Sequence, residues 1–168
     1  MENRDQLLKI FLDSYGLSPV AVFRGATAWA KAVVCDPETP SDVLTALARC
    51  STSDLLERIG ENSNASAELL AQLAVNESPE VRVAVGSNPN TASETVWMLA
   101  SDGHPDVRYS LAENHNLDPS VLEALARDQN PYVACRAART LCRLRPPVGF
   151  TAKVRRWFWK KSLTRKAG

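Results

Sequence analysis

Two stretches that lie 26 residues apart, ESPEVRVAVGSNPN at 77–90 and GHPDVRYSLAENHN at 103–116, decide the interpretation of this chain. Both contain the series P-x-V-R, and both end on N-x-N. A period of this length is typical of proteins built from stacked supersecondary units. We therefore expect a repeat architecture.

The repeat can be followed along most of the chain. Its four copies occupy 36–61, 62–87, 88–113 and 114–139. Leu70 and Leu73 are three residues apart, and the matching positions in the other copies are also apolar, which is the spacing of one helix face. Val81 and Val85, four residues apart, mark the same face of a second helix in the repeat. Each repeat is therefore predicted to consist of two helices.

Proline and asparagine mark the ends of these helices. Pro79 and Pro105 suit the first position of a second helix, where the missing amide proton is not needed. Asn76, Asp102 and Asp128 lie just upstream of such prolines, and we expect them to cap the second helices. The motif N-x-N between repeats predicts a turn, because asparagine tolerates left-handed backbone and bonds its own chain.

These features predict an all-α fold, a right-handed α-solenoid of about four to five two-helix repeats. One repeat cannot bury its own apolar faces, whereas stacked repeats share a continuous core. The predicted organisation has three parts. Residues 1–35 form an N-terminal capping helix and half a repeat, residues 36–142 form the four repeats, and residues 143–168 form a basic, aromatic C-terminal tail.

The combined pattern N-x-N-x-x-x-x-x-[LV]-x-x-L-A…P-x-V-R-x-x-[VL] resembles the leucine-rich repeat variant family, whose shape is related to HEAT repeats. The resemblance covers about residues 30–140 and is strongest over 62–133. It implies a superhelix in which α-helices alternate with short, 3₁₀-like second helices. Some members carry N-terminal cysteines that hold an iron–sulfur cluster, but residues 1–34 contain no cysteine. No cofactor or metal is therefore expected.

Composition gives a further division of the chain. The segment from Arg143 onward holds nine Lys or Arg and no acidic residue, whereas residues 1–142 carry a net charge of −8. No run of about 18 apolar residues is present, and the N-terminus does not resemble a signal peptide. The expected location is the cytoplasm, and the alternative is a peripheral position at the membrane surface. The four cysteines form no CxxC motif, and we expect them to be reduced, buried and structural.

Arg82 and Arg108 recur at one position of the repeat. Such arginines either form a stripe that attracts phosphate or pair with the repeated Asp102 and Asp128 in a structural ladder that sets the spacing of the repeats. The second interpretation is preferred, because the repeat region is acidic and a nucleic-acid groove would be basic.

Two aromatic residues are candidates for a partner-binding surface. Trp97 aligns with Thr45 and Glu123 of other copies, and Tyr109 aligns with Glu57, so both are predicted to lie at the surface. Exposed Trp and Tyr are typical anchors of protein interfaces. The alternative is that they cover the seam between neighbouring repeats.

No catalytic site is predicted. His104 and His115 fall in turns without partners for metal binding or general-base chemistry. The sequence contains no nucleophile motif and no glycine-rich phosphate loop. An enzyme is therefore not expected.

The tail offers three interpretations. It folds back as a cap over the last repeat and the acidic body, it binds an anionic membrane surface, or it binds nucleic acid by charge and stacking. The residues that would carry binding are Lys153, Arg155, Arg156, Trp157, Phe158, Trp159, Lys160 and Lys161.

Together these observations predict a non-catalytic scaffold or adaptor that binds a partner protein on the solenoid surface. The first alternative is a peripheral membrane adaptor anchored by the tail, and the second is a nucleic-acid binder that uses the same tail.

Overall fold

A computed structural model describes residues 28–49 and 51–144, and in these ranges the regular structure is entirely helical. The predicted N-terminal capping helix and the tail residues 145–168 lie outside the described ranges, as does Cys50. Nine α-helices occupy the described part. They are α1 (Ala28–Cys35), α2 (Ser41–Ala48), α3 (Ser53–Glu61), α4 (Ala67–Leu73), α5 (Pro79–Ser87), α6 (Ser93–Ala100), α7 (Pro105–Glu113), α8 (Pro119–Leu125) and α9 (Pro131–Leu144).

The predicted solenoid is confirmed, because helix pairs recur along the chain with the period of the repeat. The first helices are α2, α4, α6 and α8, and the second helices are α3, α5, α7 and α9. Helix α1 precedes the first repeat and packs on α3 in the manner of a second helix.

The second helices differ in one respect from the sequence prediction. They are α-helical, and α3, α5 and α7 have nine residues each, whereas the first helices have seven or eight. No short 3₁₀ segment replaces them in the described ranges. Each second helix buries apolar residues along one side, as Val81 and Val85 do in α5.

The residues predicted to cap the second helices accept hydrogen bonds from the N-cap residues and do not occupy the N-cap positions themselves. The Asn76 side-chain oxygen accepts from the Ser78 amide at 2.9 Å, and Asp102 accepts in the same way from His104 at 2.7 Å. The N-cap positions themselves are Ser78 and His104. The expectation that Asn76, Asp102 and Asp128 cap these helices is therefore wrong, and each closes an Asx turn that leads into the helix.

The two layers of helices are spaced differently. Successive second helices pack directly on one another, whereas most first helices stand further apart. Small residues permit the close spacing, since a Cβ atom on Gly60 would lie 3.1 Å from the Ala84 Cβ atom, and one on Gly86 would lie 3.0 Å from Leu111.

One continuous core runs between the layers from Ala30 to Ala137. Its largest fully buried side chains come from the repeated apolar columns. They are Leu44, Ile59, Leu70, Leu99, Leu111, Leu122, Leu125, Val34, Val81, Val85, Val107 and Val133. The repeat therefore specifies the interior of the protein. In the described ranges no helix has both the length and the apolar character of a bilayer-spanning segment.

The register can be tested on α6. Leu99 is 1% exposed, and Leu99→Ala should lower the free energy of unfolding by about 3 kcal/mol, because it leaves a cavity. Met98, its neighbour on the same helix, is 44% exposed, and Met98→Ala should cost less than about 0.5 kcal/mol. Urea unfolding of both variants measures the difference. Equal losses would show that the repeat register is wrong.

Candidate functional site

The repeats are joined by the turns between them, at 36–39, 62–65, 88–91 and 114–117, which we call asparagine turns after their commonest residue. We call the contact region between two consecutive asparagine turns a seam. At a seam, a side-chain amide donates to main-chain carbonyls of the preceding repeat. Asn62 Nδ2 donates to the carbonyls of Val34 at 2.8 Å and Asp36 at 3.0 Å, and Asn88 Nδ2 donates to those of Gly60 at 2.7 Å and Asn62 at 2.8 Å. Both asparagines are 6% exposed.

The second asparagine of each turn adds a parallel contact. Asn64 Nδ2 donates to the Pro37 carbonyl at 2.6 Å, and Asn90 Nδ2 donates to those of Ser63 at 2.6 Å and Ala65 at 3.2 Å. The side chains thereby form an asparagine ladder along the stack. Each pair satisfies carbonyls that a helix end would otherwise leave without a donor.

The ladder is interrupted at the third seam, between the turns 88–91 and 114–117. Asn114 and Asn116 occupy the positions of the ladder residues, but neither amide nitrogen donates to the preceding turn in the described structure. The turn itself is kept, since Asn114 Oδ1 accepts from the Asn116 amide at 2.9 Å. Asn114 is only partly buried, unlike Asn62 and Asn88. We call this gap the open seam.

The ladder resumes beyond the open seam. Thr140 stands where an asparagine would begin the next turn, and its hydroxyl donates to the Ala112 carbonyl at 2.7 Å. This bond spans the same number of residues as the bond from Asn88 to Gly60. The opening is therefore local and lies between connected repeats.

Leu117 provides a physical reason for the opening. Two of the three equivalent residues, Thr39 and Thr91, donate from their hydroxyls to the Val33 and Val85 carbonyls. The third, Ala65, has no hydroxyl, yet Asn62 and Asn64 of its turn make the ladder contacts. Leu117 therefore differs from all three by its larger side chain, which packs against the core. The main-chain bond that closes the other turns, for example from the Thr91 amide to Asn88 at 3.2 Å, also has no counterpart at Leu117 in the described ranges.

The open seam widens into a cleft of about 320 Å³. Its walls combine turn residues with the first turns of α6 and α8. The lining residues are Gly86, Asn88, Pro89, Thr91, Ser93, Val96, Trp97, Asn114, Asn116, Leu117, Asp118 and Val121. The cleft therefore offers both apolar surface and main-chain and side-chain amide groups.

The predicted arginine–aspartate ladder lies in the turns at the opposite end of the second helices. Arg82 donates to both carboxylate oxygens of Asp102, at 2.7 and 2.9 Å, and Arg108 donates to both of Asp128, at 2.7 and 3.0 Å. The side chains are 15% exposed for each arginine and 8% for each aspartate. These two-pronged pairs connect consecutive repeats and leave the arginines paired with carboxylates of the same chain.

The pairs shift the acidity of their members. Burial raises the pKa of the Asp102 carboxyl, but the hydrogen bonds from Arg82 and from the His104 amide lower it more, so the pKa lies below its ordinary value. Hydrogen bonds from Arg108 lower the pKa of Asp128 against the opposing effect of burial. Both carboxyls therefore stay ionised to a lower pH in the folded chain than in the unfolded chain.

The two predicted anchors are exposed but lie on different layers. Trp97 on α6 is 44% exposed and lines the open seam, so it is both a surface residue and a neighbour of a repeat boundary. Tyr109 on α7 is 36% exposed and is not among the residues that line the cleft. The structure thus places only Trp97 at the candidate site.

Sequence reasoning missed Tyr132, which is 77% exposed at the start of α9. The signal was present, because Tyr132 aligns with Asp54, Glu80 and Asp106, a position that faces water in every other repeat. It missed Asn114 and Asn116 as site residues for a different reason, since their residue types match those of the closed seams.

The remaining polar candidates offer no reaction centre. His104 Nδ1 accepts from the Asp106 amide at 3.3 Å, and His115 lies 3.4 Å from the Arg143 guanidinium. The described ranges contain no group of three or more His, Cys, Asp or Glu residues suited to a metal ion.

Cys35, Cys135 and Cys142 are exposed, so the expectation that the cysteines are buried is wrong for these three. Each is on a helix face that the core does not use.

Fold and site together define a helical repeat protein that has one open seam within residues 28–49 and 51–144. Comparisons of the chain with protein-family models, with curated proteins and with solved structures find no match. The resemblance to the leucine-rich repeat variant family therefore stays a prediction that rests on the repeat motif.

The asparagine ladder predicts unequal effects of the same substitution. Asn88→Ala removes two donors from buried carbonyls and should lower the free energy of unfolding by about 2–3 kcal/mol. Asn114→Ala removes one local bond in a partly exposed turn and should cost less than about 1 kcal/mol. Urea unfolding at neutral pH compares them. A loss at Asn114 as large as that at Asn88 would mean that the third seam is closed.

The lowered pKa values of the two aspartates in the arginine–aspartate ladder predict a pH dependence of stability. An unfolded aspartate titrates near a pKa of about 3.9. Because the folded pKa values of Asp102 and Asp128 are lower, their contribution is present above the unfolded pKa and is lost as the pH falls through the folded pKa.

The chain supplies its own neutral version of this pair, since Leu56 and Asn76 occupy the corresponding positions one repeat earlier. The double variant Arg82→Leu, Asp102→Asn should lose less stability between about pH 7 and pH 3 than the unchanged protein. Urea midpoints at the two pH values measure the loss. The same loss in both proteins would show that the pair does not cause it.

Proposed function

We propose that the chain is a non-catalytic scaffold or adaptor that binds a partner protein on the solenoid surface. The observation that carries this proposal is the exposure of large aromatic side chains on a stack whose core is already filled. Trp97, Tyr109 and Tyr132 are 44%, 36% and 77% exposed, and none is needed to complete the continuous core. Aromatic residues of this kind supply much of the binding energy at protein interfaces.

The charges of the solenoid also favour a protein over a polyanion. Arg82 and Arg108, which could otherwise form a stripe for phosphate, are each paired with both oxygens of a carboxylate. Binding a phosphate would require these pairs to break and would leave two partly buried carboxylates without a cation. A partner that contacts the solenoid therefore gains more from apolar and hydrogen-bonding contacts than from positive charge.

Two alternatives place function in the tail, whose residues 145–168 lie outside the described ranges. Its sequence combines nine basic residues with Trp157, Phe158 and Trp159. Such a composition suits a peripheral membrane adaptor at an anionic surface, or a nucleic-acid binder that uses charge and stacking. Both alternatives keep the solenoid as the platform and the cytoplasm as the proposed location.

Affinity capture from a nuclease-treated lysate tests the proposal. The baits are the full chain, the double variant Trp97→Ala, Tyr109→Ala, and the control Val75→Ala, which alters a side chain that is 71% exposed and not aromatic. We expect one set of proteins on the full chain and the control, reduced at least about tenfold on the double variant. Identical sets on all three baits would contradict a role for these aromatic residues.

A fourth bait distinguishes the alternatives. It is the full chain with the basic residues between Lys153 and Lys161 changed to glutamine. A partner lost only from this bait would move the function to the tail. The full chain and this variant are then compared for binding to anionic vesicles and to nucleic acid. The ligand whose binding the variant loses identifies which alternative holds. If none of the baits retains a protein, the scaffold proposal fails.

A further inference from the structure

We propose that the open seam between the turns 88–91 and 114–117 is a binding site for an extended segment of a partner polypeptide. This inference rests on the proposed function, since it names the part of the partner that the solenoid would recognise. It also assigns a role to the one seam at which the asparagine ladder is interrupted.

The hydrogen-bonding groups of the open seam suit a peptide backbone. In the closed seams, the same side chains already bind peptide carbonyls. Asn88 Nδ2 lies 2.7 Å from the Gly60 carbonyl oxygen, and Asn90 Nδ2 lies 2.6 Å from that of Ser63. At the open seam, the amides of Asn114 and Asn116 occupy equivalent positions without such a partner in the described structure. A peptide carbonyl inserted there would receive the bond that the preceding turn receives elsewhere.

The opposite wall supplies the complementary group. Gly86 corresponds by one repeat to Gly60, whose carbonyl accepts from Asn88. The Gly86 carbonyl receives no such side-chain amide, and the Asn90 amide that would bond it in a continued helix is held by Asn88 Oδ1 at 2.9 Å. Donors on one wall and an acceptor on the other match the donor and acceptor that each peptide unit carries.

The apolar lining provides a place for a side chain. Val96, Val121 and Leu117 line the cleft beside the indole of Trp97. A volume of about 320 Å³ is at the lower end of the range for ligand sites, which suits a short stretch of chain rather than a large cofactor. We therefore expect a peptide that places one apolar side chain against Trp97.

The charges of the cleft exclude a phosphate ligand. No lysine or arginine is among the lining residues. The one acidic side chain, Asp118, accepts from the Ser120 amide at 2.8 Å and from the Ser120 hydroxyl at 2.6 Å. The absence of cations disfavours nucleic acid and anionic lipid headgroups, and the acidic body favours a neutral or basic peptide.

Selection of a random-peptide library displayed on phage against the full chain tests this site. Enriched peptides are synthesised and titrated calorimetrically into the full chain and three variants. Asn114→Ala, Asn116→Ala removes the unpaired amides, and Leu117→Thr introduces the residue that occupies this position in the turns 36–39 and 88–91. Val75→Ala is the control, because it alters a side chain that is 71% exposed and lies outside the cleft.

We expect the affinity to fall at least about tenfold in both cleft variants and to stay unchanged in the control. Circular dichroism of each variant verifies that it is folded. No enriched peptide, or equal affinity in the cleft variants and the full chain, would overturn the proposal. A synthetic peptide of residues 145–168 that displaces the enriched peptides would also overturn it, because the occupant would then be the chain's own tail.

Failure here can be separated from failure of the scaffold function. If a partner protein is captured by the full chain and lost on Trp97→Ala, Tyr109→Ala, but is still retained by Asn114→Ala, Asn116→Ala, the scaffold stands and the peptide site in the open seam fails. If no protein is captured by any bait, the scaffold itself fails.

Discussion

The structure depends on one interaction, the donation of an asparagine side-chain amide to two carbonyls of the preceding repeat. Asn62 and Asn88 each make this contact at 2.7–3.0 Å while almost fully buried. A helix end leaves carbonyls without donors, and burying them unpaired would cost several kcal/mol across the stack. The asparagine supplies these donors and links consecutive repeats at the first two seams. The apolar columns pack the second helices together at every seam, including the third.

At the other end of the second helices, the same spacing is held by charge. Arg82 and Asp102 pair across a repeat boundary, whereas the corresponding residues one repeat earlier are Leu56 and Asn76. Both positions of the pair are therefore uncharged in the earlier repeat and charged in the later one, so that no buried carboxylate lacks a cation. Small residues such as Gly60 let consecutive second helices pack closely on one another.

Much of this architecture could be predicted from the sequence, because the apolar columns and the prolines are local signals that each repeat restates. The position and type of the helices follow from them, as does the exposure of Trp97. The open seam could not be predicted in this way. Asn114 and Asn116 have the expected residue types, and their turn differs from the others in Leu117, whose side chain packs against the core and whose amide lacks the main-chain bond that Ala65 and Thr91 make. The exposure of Cys135 was missed because residue type was given more weight than the polar residues that align with it.

We propose that the third seam, where the asparagine ladder is open, is the place at which the repeat stack binds another chain. Hydrogen exchange of side-chain amides by nuclear magnetic resonance tests this claim most directly. If the ladder is closed at two seams and open at the third, the side-chain amide protons of Asn62 and Asn88 should exchange slowly, and those of Asn114 should exchange nearly as fast as in a free peptide. Protection at Asn114 equal to that at Asn88 would contradict the account.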